Sequence, residues 1–120
     1  METALPNRPD WQAILKSGNR IFVGSNAAVP NALIDDLIAN SGDLHDIELV
    51  HINTLSESRW VEPQFNDLFK VNTLFIGGEK IRQAVAEGRV DYTPCFLSEV
   101  PSLFEQDILP LDAALIMVSL

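Results

Sequence analysis

The sequence has few of the residues from which a disulfide or a metal centre is built. It contains one cysteine, Cys95, and two histidines among 120 residues. One cysteine cannot form an internal disulfide, and the separation of His45 from His51 does not match the one-face spacing of paired metal ligands on a helix. We therefore expect no metal site. Because Cys95 lies between Pro94 and Phe96, we interpret it as a buried structural residue.

Positive charge and long apolar runs are also scarce. Eight Lys and Arg stand against 17 Asp and Glu, which makes the formal net charge −9. The basic residues are scattered, whereas proteins that bind nucleic-acid phosphates carry basic stripes, so we expect no nucleic-acid partner. No apolar run approaches the roughly 20 residues that cross a bilayer, and residues 1–8 lack the apolar segment of a signal peptide. We therefore expect a soluble, cytoplasmic protein without a membrane partner.

Short apolar segments alternate with helical patterns along the chain. The length suits one domain, residues 1–120. These segments predict five strands, at residues 20–23, 47–52, 72–76, 90–93 and 113–118. They are apolar throughout rather than at every second residue, which is typical of parallel strands buried on both faces. The sequence therefore predicts an α/β fold with a mostly parallel, open sheet of about five strands and helices on both faces.

Helical periodicity separates most of these strands. We predict a helix capped by Asp10, a helix opened by Pro30, a third at residues 79–87 and a brief one capped by Ser98. The segment between strands two and three is polar and is interrupted by Pro63. It is predicted as a long excursion with at most a short helix around residues 64–69.

The turn after strand one is the strongest candidate site. A strand directs its carboxyl end at this turn, and the helix that follows directs unpaired backbone N–H groups at the same place. The candidate binding residues are Gly24, Ser25, Asn26, Ala27 and Pro30. Ser25 and Asn26 could present a hydroxyl and an amide to an acyl or phosphate oxygen, but on pattern alone the favoured interpretation is that they cap a helix and complete a turn.

Other motifs are weaker. The turn lacks the second and third glycines of a dinucleotide fingerprint. Gly77 and Gly78 offer another close approach to the backbone, but a tight strand-to-helix connection is the favoured interpretation. The spacing of the carboxylates selects no catalytic residue among them.

Several segments together resemble one known family. They are residues 16–30, 47–52, 75–78, 84–104 and 109–119. In order and spacing they are similar to the N-terminal part of the acetyl-CoA hydrolase/transferase family, which includes acetate and 4-hydroxybutyrate CoA-transferases. The resemblance covers nearly all of the chain.

The resemblance implies an activity in acetyl-CoA and acetate metabolism. The family passes coenzyme A from an acyl-CoA to a small carboxylic acid, or releases it to water, through a glutamyl-CoA thioester. By the resemblance, the catalytic glutamate and most of the coenzyme A site lie in a C-terminal catalytic domain beyond Leu120. We therefore expect no catalytic residue, no cofactor bound by this chain alone and no activity of the isolated chain. The turn at residues 24–30 is placed on the N-terminal wall of the active-site cleft, with residues 94–98 nearby.

The last predicted strand runs almost to Leu120, so the chain is predicted to be truncated before its catalytic half. A homo-oligomer is expected, because the apolar area that this half covers would associate through residues 113–118, Phe96 and Leu97. The alternative is a stand-alone α/β binding module without catalysis. An independent nucleotide-binding enzyme is disfavoured by the broken glycine pattern.

Overall fold

The computed structural model describes residues 9–24, 29–52, 59–75 and 79–116. Its centre is a five-stranded sheet with the strand order β4-β3-β2-β1-β5. Each pair of neighbouring strands is parallel, which confirms the predicted fold class. The strands are β1 Arg20–Val23, β2 Ile47–His51, β3 Phe69–Thr73, β4 Val90–Tyr92 and β5 Ala113–Leu115.

Four α-helices are found in the described ranges. They are α1 Trp11–Ile14, α2 Asn31–Ala39, α3 Glu79–Ala86 and α4 Val100–Glu105. Short 3₁₀ turns span Arg59–Val61, Pro63–Phe65 and Leu97–Glu99. Helix α3 ends as the sequence predicts, with Gly88 at φ 77°. The Gly88 N–H donates to the Val85 carbonyl and the Arg89 N–H to the Ala84 carbonyl, at 3.0 and 2.9 Å, which is the Schellman arrangement.

The two faces of the sheet carry cores of different size. On the large face, α1, α2, the 3₁₀ turn Arg59–Val61 and α3 pack on the sheet. On the small face, α4 and the residues around it cover Val50 and Leu74. An edge-to-face contact between Phe22 and Phe104, with ring centroids 5.6 Å apart, joins β1 to α4. Helices therefore lie on both faces, as predicted.

The strand order reverses beside β1. From β1 to β4 each strand is added on the same side of the sheet, and the connecting helices α2 and α3 lie on the large face. The chain then returns through α4 on the small face and places β5 on the other side of β1. The Gly24 N–H donates to the Leu115 carbonyl at 2.9 Å, which continues this pairing past the end of β1. In open α/β sheets, ligands bind outside the carboxyl ends of the strands where the order reverses.

Some predicted boundaries were wrong. Strand three was expected at residues 72–76, but β3 begins at Phe69, which pairs with Ile47 of β2. Leu74 and Phe75 prolong the apolar pattern past Thr73, where β3 ends, so the pattern alone misplaced the strand. The short helix expected around residues 64–69 is the 3₁₀ turn Pro63–Phe65. Pro30 occupies the cap position before α2, and Asp10 makes no side-chain cap hydrogen bond.

Candidate functional site

The parallel sheet brings the carboxyl ends of its five strands to one side of the molecule. We call this side the carboxyl edge. It is formed by the residues that directly follow the strands, which are Gly24, Ile52, Leu74, Thr93 and Ile116. Because ligands of open parallel sheets bind at such an edge, it is the candidate functional site.

Two of the five predicted binding residues lie within the described ranges. Gly24 is half-buried at the end of β1, where it bonds to β5, and Pro30 is buried at the start of α2. The first backbone bond of α2 runs from the Ile34 N–H to the Pro30 carbonyl at 3.1 Å, and the cap position makes no side-chain bond to the helix. The structure thus places Gly24 and Pro30 on either side of the segment 25–28. Ser25, Asn26 and Ala27 lie outside the described residues, as do Gly77 and Gly78.

Sequence analysis did not predict a second group of residues at this edge. Among the described residues, the buried polar side chains are His51, Asn72 and Thr73. All three stand at the last or penultimate position of the central strands β2 and β3. Burying a polar side chain costs free energy unless it is paired. Polar side chains that are buried at the carboxyl edge are therefore candidates for a role in binding. The sequence signal was a polar residue at the end of a strand whose earlier buried positions are apolar.

Of these three buried polar side chains, only that of His51 can titrate. Its side chain is 1% exposed, and the Trp60 ring meets it edge-to-face with centroids 5.0 Å apart. Neither ring nitrogen of His51, nor Nε1 of Trp60, has a hydrogen-bond partner among the described residues. Burial lowers the pKa of His51 from 6.5 to about 4, so the ring is uncharged at neutral pH.

Thr73 and Asn72 point to opposite faces of β3, because successive side chains of a strand alternate. The Thr73 hydroxyl donates to the Phe75 carbonyl at 2.7 Å and so stabilises the turn after β3. On the small face, the Thr93 hydroxyl donates to Oδ1 of Asn72 at 2.8 Å. This bond connects the carboxyl ends of β3 and β4 through their side chains.

Large apolar side chains are exposed around the same edge. We call them the apolar rim. Its members are Phe75, Tyr92, Phe96, Leu97 and Ile116, whose exposed fractions run from 44% for Tyr92 to 79% for Phe96. All five end a strand or follow the end of one closely, and exposed apolar side chains at a binding edge are suited to contact a ligand or another protein surface.

Two kinds of site receive no support in the described part of the chain. It holds no group of three or more His, Cys, Asp or Glu side chains placed to bind a metal ion. No helix within the described ranges has the length and apolar character needed to cross a membrane. Cys95 is half-buried and packs against the small-face core.

Comparison with known proteins gives the family. The sequence profile of the acetyl-CoA hydrolase/transferase N-terminal domain matches residues 8–120. The chain belongs to the acetyl-CoA hydrolase/transferase family. It is 37% identical over 105 residues to the 4-hydroxybutyrate coenzyme A transferase of Clostridium kluyveri, covering 88% of this chain and 24% of that protein. It is 41% identical over 128 residues to the succinyl-CoA:acetate/propanoyl-CoA:succinate CoA transferase of Fasciola hepatica, covering 96% of this chain and 26% of that protein.

Solved structures share the fold of this chain. The chain superimposes on one mutant of RipA with a TM-score of 0.70 at 24% identity, covering 85% of this chain and 25% of that one. A second RipA mutant gives a TM-score of 0.64 at 25% identity, covering 78% of this chain and 24% of that one. This member of the acetyl-CoA hydrolase/transferase family thus spans about a quarter of the length of the curated relatives it matches.

Proposed function

We propose that this chain is the N-terminal domain of an acyl-CoA:carboxylate CoA-transferase or acetyl-CoA hydrolase. The main support for the proposal is that two features occur in the same turn. Gly24 and Pro30 flank the segment at which the strand order reverses, and this segment lies within the residues that match the family. The substrates proposed are an acyl-CoA and a small carboxylic acid or water, and the compartment proposed is the cytoplasm.

The proposed reaction uses a glutamate that lies outside residues 1–120. Its carboxylate attacks the acyl carbonyl of the acyl-CoA, and the CoA thiolate leaves as a mixed anhydride forms. The thiolate then attacks the glutamyl carbonyl of the anhydride, which releases the first carboxylic acid and leaves a glutamyl-CoA thioester. An acceptor carboxylate reverses these steps to form a new acyl-CoA, or water hydrolyses the thioester.

The proposed contribution of this chain is one wall of the cleft. The absence of a side chain at Gly24 lets the backbone at the end of β1 approach the acyl group. Within the described residues the Asn31 N–H already donates to the Val29 carbonyl at 2.9 Å, so the N–H groups of Ala32 and Leu33 in the first turn of α2 are those proposed to donate to an acyl oxygen on which negative charge develops.

Replacement of Gly24 by Val tests this proposal in the longer protein that contains the chain. We expect kcat/KM for acetyl-CoA to fall at least about tenfold, because a branched side chain obstructs the approach of the substrate to the backbone. We expect the melting temperature to change less than in the control Gly88→Val. Gly88 adopts φ 77° before the amino end of β4, so this control strains the backbone at the opposite side of the sheet from the carboxyl edge.

Two outcomes contradict the proposal. If Gly24→Val loses stability as Gly88→Val does but keeps full turnover per folded molecule, Gly24 is a structural turn residue. If the longer unmodified protein neither transfers nor hydrolyses CoA thioesters, and forms no acid-stable adduct with acetyl-CoA by mass spectrometry, a binding module without catalysis takes the place of the enzyme.

A further inference from the structure

Asn72 lies at the carboxyl edge with half of its amide unused. It is in register with Val50 of β2 and with Asp91 of β4, so the three side chains share the small face. As the penultimate residue of β3 it stands about 3.3 Å below the end of the strand. Only 8% of the residue is exposed. A side chain in this place is nearly removed from solvent but close to the rim of the candidate site.

The hydrogen bonding of the Asn72 amide is asymmetric. Oδ1 accepts the hydrogen bond from the Thr93 hydroxyl at 2.8 Å, which positions the amide plane. Nδ2 makes no hydrogen bond within the described part of the chain, although an amide nitrogen carries two donors. Nδ2 is not among the fully buried, unpaired side-chain atoms of the described residues, so these donors are open to solvent or to a ligand. An oxygen acceptor supplied by a ligand would satisfy them.

The surroundings of Asn72 favour an uncharged acceptor. Asp91 occupies the neighbouring register position and is a carboxylate, and the net charge of the chain is −9. The Asp91 carboxylate and the negative net charge both disfavour the binding of a second carboxylate at Nδ2 of Asn72. The adjoining small-face core is apolar, with Val50 and Leu74 buried and Cys95 packed against them. Such surroundings suit a carbonyl group attached to an aliphatic chain and strengthen a hydrogen bond to it.

We propose that Asn72 binds the substrate of this site by donating a hydrogen bond from Nδ2 to an uncharged carbonyl oxygen of an acyl-CoA, with Thr93 as the positioning residue. The proposal rests on the proposed function and adds a binding contact to it. Two carbonyl sources share this chemistry, namely the acyl thioester and the amides of the pantetheine arm.

The test is a titration of the longer protein that contains the chain, labelled with ¹⁵N and followed through the side-chain amide resonances of Asn72. The probes are acetyl-CoA, pantetheine, which has the amides but no thioester, and acetate. A saturable shift of the Asn72 resonances with acetyl-CoA but not with acetate is the expected result. If pantetheine produces the same shift, the bound carbonyl is an amide of the arm; if it does not, the thioester is bound. An equal shift with acetate overturns the choice of an uncharged carbonyl.

Variants measure the strength of the contact. Asn72→Asp keeps the shape of the side chain and replaces the donor by an acceptor, so Kd for acetyl-CoA should rise about tenfold. Asn66→Asp, on an exposed turn before β3, adds the same charge and should leave Kd unchanged. Thr93→Val removes the hydroxyl that positions the amide and should weaken binding less than Asn72→Asp does. It also serves as the second variant if Asn72→Asp does not fold.

The two proposals fail in different ways. If acetyl-CoA shifts backbone resonances near Gly24 but leaves those of the Asn72 side chain in place, the Asn72 contact is wrong and the proposed function survives. If acetyl-CoA shifts no resonance of the chain and the longer protein has no activity on CoA thioesters, the proposed function itself is wrong.

Discussion

His51 keeps an uncharged imidazole in the interior at the end of β2. Burial is the cause of its lowered pKa, and no charged side chain contributes to the shift. Its two nitrogens and the Trp60 indole nitrogen lack partners within the described ranges, so the pair is held by packing between the rings. A side chain of this kind lowers stability relative to an apolar one of similar shape.

The burial of His51 should make the free energy of unfolding depend on pH. The unfolded chain protonates His51 near pH 6.5, whereas the folded chain does so only near pH 4. The unfolded state therefore binds more protons between these values, and stability falls as the pH is lowered from about 6.5 to about 4. The loss attributable to His51 should approach about 3 kcal/mol and should not grow below pH 4. Urea unfolding at several pH values measures it.

Two substitutions isolate the contribution of His51. His51→Phe should have a flatter profile between pH 6.5 and 4 and should be at least as stable as the natural chain at pH 7.5, because it removes the unpaired nitrogens. Tyr92→Phe removes only the hydroxyl of an exposed ring at the end of β4 and should keep the natural profile. Parallel profiles for the natural chain and His51→Phe would show that His51 is not buried uncharged.

At the scale of elements, β5 depends on a small number of contacts at the amino end of β1. The Arg20 N–H donates to the Asp112 carboxylate and the Asp112 N–H donates to the Arg20 carbonyl, both at 2.8 Å. The Arg20 side chain is paired with Glu48 of β2. Because β5 has three residues and lies at the edge of the sheet, these bonds help to hold one side of the point where the strand order reverses.

Asp112→Ala should therefore loosen β5 selectively. The expected cost is about 1 kcal/mol, the usual contribution of one hydrogen bond. Amide hydrogen exchange should accelerate at Gly24, whose N–H donates to the Leu115 carbonyl, before it accelerates in β2 and β3. Asp43→Ala, on an exposed turn after α2, is the control for removal of one carboxylate. Unchanged protection of Gly24 would mean that β5 is held mainly by its strand pairing and core contacts.

At the scale of the whole molecule, five of the eight large apolar side chains that are exposed in the described ranges belong to the apolar rim. Phe96 and Leu97 are its most exposed members, at 79% and 72%. Interfaces between domains of one chain bury on the order of 600–1,500 Å². A surface of this kind is suited to the remainder of a longer protein, and in the isolated chain to a second copy.

Self-association of the isolated chain stays a prediction that sedimentation tests directly. We expect a dimer at high micromolar concentration that becomes a monomer in the variant Leu97→Asp, because a charge in the apolar rim opposes burial. Ile14→Asp is the matched control, since Ile14 is 57% exposed on α1, outside the rim, and should leave the dimer intact. A strictly monomeric natural chain that binds little hydrophobic dye would favour a complete binding module.

Local sequence patterns determined the fold class and the position of one turn. Apolar runs and helical periodicity are properties of neighbouring residues, so they identified five strands, the end of α3 at Gly88 and the turn between Gly24 and Pro30. The family resemblance rested on the same local segments. None of these signals depends on which strands lie side by side.

Only the tertiary structure decided the strand order and the polar residues of the carboxyl edge. The bounds of β3 follow from its register with β2, because Phe69 pairs with Ile47 across the sheet. His51 is buried because Trp60 covers it from a separate 3₁₀ turn. Asn72 meets Thr93 because β4 is added beside β3, 21 residues further along the chain. Burial and pairing of this kind arise from contacts between distant segments, which local periodicity does not record.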